Sequence, residues 1–233
     1  LRNLAGRGIA ALNPSKESAM NLNIATLPLP SLREVRPGHG RRSRIGNIDL
    51  NHLALRQFRN VAEFLQPSSP VPDRDAIVSS ARQLDRQYSG MHRAPCIQMR
   101  LRCLTALRAM SKEPEWPLQA NLRQPIERIV DYAAKAQHLI PQRLPVIGGL
   151  DDAILVDLAW PALRFELDDY LSFRRLRAVE AQLCGLHPRE LRFGRAQWLE
   201  SLAAEAAMLH RVRRRARSPY ETAPSAAMFR VHG

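Results

Sequence analysis

The stretch His138–Trp160, HLIPQRLPVIGGLDDAILVDLAW, constrains the fold of this 233-residue chain more than any other. An apolar run is broken by Pro141, Pro145 and Gly148-Gly149, then by Asp151-Asp152, and turns apolar again. Proline fixes φ and removes a backbone donor, so no uninterrupted amphipathic helix reads this way. The segment predicts a tight corner joining two central helices, the second starting near Asp151. It does not read as a membrane span. Leu144–Leu163 contains Asp151, Asp152, Asp157 and two prolines, and each central Asp costs about 3 kcal/mol on insertion scales.

The residues around the corner carry the three- and four-residue apolar spacing of helices. Ile48, Leu53, Phe58, Val61 and Leu65 predict a first helix from about Asn47 that stops before Pro67. PSSPVPD is a loop in which Asp73 or Ser69 is placed to cap the next helix, which ends near Gly90. A third helix has Pro95 in its first turn, and a fourth has Pro125 near its start. The helix after the corner is expected to bend or break at Pro161 and to end at CGLHP, Cys184–Pro188. A last helix carries Trp198, Leu199, Leu202, Ala206, Leu209 and Val212 into the tract RVRRRAR, Arg211–Arg217. No strand alternation, internal repeat or long heptad array is evident. The expected class is all-α: one domain of six or seven helices over residues 47–217. A basic, mostly disordered arm (1–46) precedes it and a short flexible tail (218–233) follows. The sequence opens on Leu1, so its first residues need not be a natural start, and Met20 is a candidate one.

The net charge of +13 is unevenly placed. Residues 1–46 hold eight basic and two acidic residues, and residues 211–233 hold six basic residues and Glu221. The middle of the chain is therefore almost neutral. Thirty-two of the 35 basic residues are Arg, whose planar guanidinium binds phosphate oxygens as a fork. Arg41, Arg42 and Arg44 in the arm, and Arg211, Arg213, Arg214, Arg215 and Arg217 at the far end, are the candidate anion-binding residues. Phosphate on nucleic acid and an anionic lipid surface are both compatible partners. No aromatic residues are interleaved for base stacking, and no helix-turn-helix stands out. A solvated helix end, whose cations favour the dipole, is the plain structural account.

Leu139-Ile140-Pro141, Leu144-Pro145, Gly148, Leu150-Asp151-Asp152 and the apolar run Ala153–Ala159 occur in the order and spacing of a known motif. By them the chain resembles the YkvA-like family, a domain of unknown function, over roughly residues 125–175. His138 and Gln142 stand where that family usually has Asp, and Arg143 where it has an apolar residue. The resemblance implies a small bacterial helical domain found in soluble and membrane-associated proteins. It implies no established activity.

Asp151-Asp152 is the sharpest candidate site. Following two glycines at a helix start, a carboxylate there can receive free N–H groups and meet the positive end of the helix dipole, and capping is the reading these residues favour. The functional alternative is a carboxylate pair for a divalent cation, joined by Asp157, Glu166, Asp168 or Asp169, because hard cations require several oxygens. Adjacent helical residues diverge by about 100°, so the pair alone cannot grip one ion. His138 reads as a hydrogen-bonding or helix-terminal residue, since no HxxxH or HxxE partner stands nearby. His52, His92, His187 and His210 are isolated. Gly6–Ala11 loosely matches a dinucleotide fingerprint but lacks the strand and βαβ context. No GxSxG elbow or phosphate loop of the GxxxxGK[ST] type occurs. Cys96, Cys103 and Cys184 form no CxxC pair, and the first two lie on an apolar helical pattern. They predict buried thiols, no disulfide and no zinc site, in keeping with a reducing cytoplasm. No cofactor is expected. The reading that follows is a cytoplasmic, non-enzymatic interaction module that docks on a protein partner or an inner membrane face, with the apolar corner able to project. A nucleic-acid-associated regulator using the basic ends is the second reading, and a metal-dependent enzyme at Asp151-Asp152 the third.

Overall fold

Side-chain caps set the first two helices. In the computed structural model, which describes residues 24–30, 44–45, 48–68 and 70–216, Asn51 accepts the backbone N–H of Leu53 at 2.8 Å and so opens α1, His52–Leu65. Asp73 accepts that of Ala76 at 2.7 Å and opens α2, Arg74–Gln87. Each cap satisfies donors that the first helical turn leaves free. Pro95 occupies the first turn of α3, Pro95–Ser111, where its missing N–H costs nothing. The remaining helices are α4, Ala120–Ala134, α5, Leu150–Leu183, and α6, Arg195–Ala216. Among the described residues, six α-helices thus make the all-α domain that the periodicity predicts.

α5 is the axis of the molecule. Every residue from Leu150 to Val156 is buried, as in a helix packed on all sides. α3 runs along it most extensively, with α4 and α1 also against it. Phe58, Ile97, Leu107, Ile126, Tyr132, Ile154 and Phe173 belong to one continuous apolar core. That continuity supports a single domain rather than two.

Four expectations change. Ile48 is not helical. Ile48–Asp49 forms a short strand, β2, paired antiparallel with Arg44–Ile45, β1, so that Arg44 faces Asp49 and Ile45 faces Ile48. α5 is not broken at Pro161 but continues through it for 34 residues. Proline removes the N–H that would reach the carbonyl four residues back and crowds that turn. The carbonyl of Leu158, next to the one that Pro161 leaves without its helical donor, accepts an N–H from the Gln66 side chain at 2.9 Å. Pro125 lies inside α4, one and a half turns past its start. Finally, part of the segment read as a disordered arm is docked. Ile24 opens a single 3-10 turn, Ile24–Thr26, and is buried, Leu27 and Leu29 pack on the core, and the Leu27 carbonyl accepts a hydrogen bond from Arg100 at 2.7 Å.

The corner packs its backbone closely. Val146 has φ of 64°, a left-handed conformation that is a genuine outlier for a β-branched residue. It is held from both sides: its N–H donates to the His92 carbonyl at 3.0 Å, and its carbonyl accepts from Ala94 N–H at 2.8 Å. A β-carbon on Gly148 would overlap the Gln142 carbonyl oxygen and lie 2.6 Å from that of Leu144. Gly149 takes φ of 79° where α5 begins, a conformation glycine adopts freely.

Candidate functional site

The corner folds back on the start of α5 and brings His138, Asp151 and Asp152 together. One ligand atom of each lies within 4.8 Å of the others. Asp151 and Asp152 have no exposed surface, and the His138 side chain is 9% exposed. His138 Nδ1 lies 3.5 Å from Asp152 Oδ1 and 3.9 Å from Asp151 Oδ2. The 100° divergence expected between adjacent helical residues is therefore bridged by an imidazole from another segment.

The capping role changes with this geometry. Among the described residues, no side-chain bond caps α5 at Gly149. Asp151 instead ties down the end of the preceding segment. Its Oδ2 accepts the Tyr132 hydroxyl at 2.8 Å, Leu139 N–H at 2.9 Å and Ile140 N–H at 3.3 Å. The carboxylates still sit in the first turn, where the helix dipole favours them. Gln142 Nε2 donates to Asp152 Oδ2 at 3.1 Å and lies 3.3 Å from His138 Nε2. Asp151 Oδ1, Asp152 Oδ1 and His138 Nδ1 are buried with no hydrogen-bond partner.

Electrostatics follow from burial. Desolvation pushes the Asp151 carboxyl up, against its bond from Tyr132 and the proximity of His138. Desolvation, then repulsion from Asp151, pushes Asp152 up to about 7. Burial and the adjacent Asp151 raise the Tyr132 phenol as well. Two buried carboxyl groups thus face one imidazole.

The other acidic candidates lie elsewhere. Asp157 accepts Arg100 Nε at 2.9 Å. Glu166 accepts Trp116 Nε1 at 2.9 Å, Gln119 Nε2 at 3.2 Å, and Arg195 through two nitrogens at 2.7 and 3.0 Å. Asp168 and Asp169 are exposed on α5. Leu139, Ile140 and Leu150 are buried, and Gly148 forms the close approach described above. Val146 and Ile147 are also buried, while Gln142, Arg143 and Pro145 of the corner are exposed. Pro141 and Pro145 frame its turns, and the Pro141 and Pro145 carbonyls accept Leu144 and Ile147 N–H at 3.1 and 2.7 Å.

α6 offers the exposed surface instead. It is anchored at its start by the fork of Arg195 on Glu166 and by Trp198, buried edge-to-face on Trp116 at 5.2 Å. From Leu199 to Arg213 every residue is exposed. Leu199, Leu202, Met208, Leu209 and Val212 are 51, 39, 65, 46 and 52% accessible. Arg211 and Arg213 are exposed on the same helix, and Arg214 and Arg215 follow within it. Arg44 is exposed in β1; Arg41, Arg42 and Arg217 lie outside the described residues. Glu166 and Arg195 were not distinguishable as partners in sequence, since 29 residues and a loop separate them.

Cys96 and Cys103 are buried and Cys184 is exposed, all three as free thiols. Burial pushes the Cys103 thiol up to about 12. Among the described residues, no helix is long and apolar enough to cross a membrane. Compared with family models, curated proteins and solved structures, the chain matches none.

Proposed function

We propose that this chain is an interaction module rather than an enzyme, and that it docks on an anionic membrane face through α6. The observation that carries this reading is a helix rigidly anchored at Trp198 whose outer half exposes leucines and arginines together. Water penalises the bare leucines, and burying one in an apolar medium contributes about 1.5–3 kcal/mol. Each basic residue near an anionic leaflet adds about 1 kcal/mol. Nucleic acid would reward the arginines but not the leucines, which favours lipid over the nucleic-acid reading. Residues 139–159 retain their resemblance to the YkvA-like family, which is part of this reading and supplies no activity.

Sedimentation with vesicles tests it. The full chain is expected to pellet with phosphatidylglycerol-containing vesicles and not with phosphatidylcholine alone, more weakly as salt rises. Leu202→Glu with Leu209→Glu, and separately Arg211→Glu with Arg213→Glu, should each weaken binding at least about tenfold. Absence of binding at low salt would sink the proposal. So would retention by the leucine variant together with tight gel shifts of nucleic acid, which would select the nucleic-acid reading.

A further inference from the structure

We propose that His138, Asp151 and Asp152 form a binding site for one divalent cation of the zinc or manganese class, enclosed between the corner and the first turn of α5. The site is more than an acidic pair. His138 Nδ1, Asp151 Oδ1 and Asp152 Oδ1 are buried and make no hydrogen bond, and His138 Nδ1 lies 3.5 Å from Asp152 Oδ1 and 3.9 Å from Asp151 Oδ2. Buried polar atoms are satisfied in the great majority of cases, so three orphans on neighbouring side chains need an explanation. The other atoms of the same groups are occupied: Tyr132, Leu139 and Ile140 hold Asp151 Oδ2, while Gln142 holds Asp152 Oδ2 and lies against His138 Nε2. The protein has thus fixed each group through one atom and left the other free, as supporting hydrogen bonds do around metal ligands.

Distance and charge agree. The separation of 3.5 Å between His138 Nδ1 and Asp152 Oδ1 is close to the edge of a tetrahedron with bonds of about 2.0–2.2 Å to nitrogen and oxygen. Two ionised carboxylates and a neutral imidazole carry the charge that a divalent cation neutralises. One nitrogen with two carboxylates suits zinc or manganese better than the all-oxygen shell of calcium. Three protein ligands leave the remaining positions to water, and the partial exposure of His138 gives the ion a way in. The opposing account is an imidazolium that shares its charge with the two carboxylates and needs no metal.

The experiment uses the full chain purified without a metal-binding tag, stripped with EDTA, and titrated separately with ZnCl2, MnCl2 and CoCl2. One equivalent of zinc or manganese should bind with a rise in melting temperature. Bound cobalt should give the visible absorption of a low-coordinate nitrogen–oxygen site. His138→Gln and Asp152→Asn should each weaken binding at least tenfold. His138→Gln keeps both carboxylates and alters a side chain at the edge of the core, so its circular dichroism should match that of the unaltered chain and report on the site rather than on folding. No stoichiometric ion up to about 1 mM, or equal cobalt spectra in the unaltered chain and a folded His138→Gln variant, would overturn the proposal and leave the imidazolium account standing.

Discussion

Gly148 shows how a single residue sets the corner. Its missing β-carbon is the space in which the carbonyls of Gln142 and Leu144 lie. Leu144 O also accepts Gly148 N–H at 3.1 Å, so the backbone cannot move apart without losing that bond. Gly148→Ala should therefore cost about 3 kcal/mol or more, the range reached by substitutions that force a buried backbone to shift. Urea denaturation at neutral pH measures it, and a loss below about 1 kcal/mol would mean that the corner relaxes freely. At this scale the sequence carried part of the message. Two glycines before two aspartates announced a turn and a helix start. It could not say that Asp151 would face backward, because the donors it meets, Tyr132, Leu139 and Ile140, arrive from another element.

At the scale of elements, α5 and α6 behave differently. α5 passes through Pro161 with α1 and α4 packed against it. Pro161 is itself exposed, so the proline contributes little packing and removes one helical bond. Pro161→Ala should stabilise the chain, by about 1 kcal/mol or more, since proline is about 3 kcal/mol worse than alanine in a helix interior. The expected observation is a higher melting temperature in calorimetry. A lower one would show that the turn at Pro161 is shaped for the packing of α5. The spacing of apolar residues located both helices. It did not reveal that Leu199, Leu202 and Leu209 face solvent, because a bare apolar stripe and a packed one have the same spacing. Only the end of the body at Trp198 distinguishes them.

For the whole molecule, charge and burial divide the labour. Arg100 is 2% exposed, joins Asp157 on α5 and holds the Leu27 carbonyl, so the segment 24–30 closes over a buried cation. Ile24→Asp would place an unpaired charge in that contact. It should cost about 2–3 kcal/mol in global stability, seen as a lower urea midpoint with an unchanged slope. An unchanged midpoint would show that the segment does not help hold the domain. The sequence by itself determined the all-α class, the limits of most helices, the corner and the burial of Cys96 and Cys103, because these follow from local backbone preferences and apolar periodicity. Only the tertiary structure decided that His138 meets Asp151 and Asp152, that Glu166 grips Arg195, that residues 24–30 dock and that residues 146–150 of the corner are buried while α6 stands clear. Those outcomes depend on which surfaces remain after the helices have packed, and spacing along a chain carries no record of distance across a core.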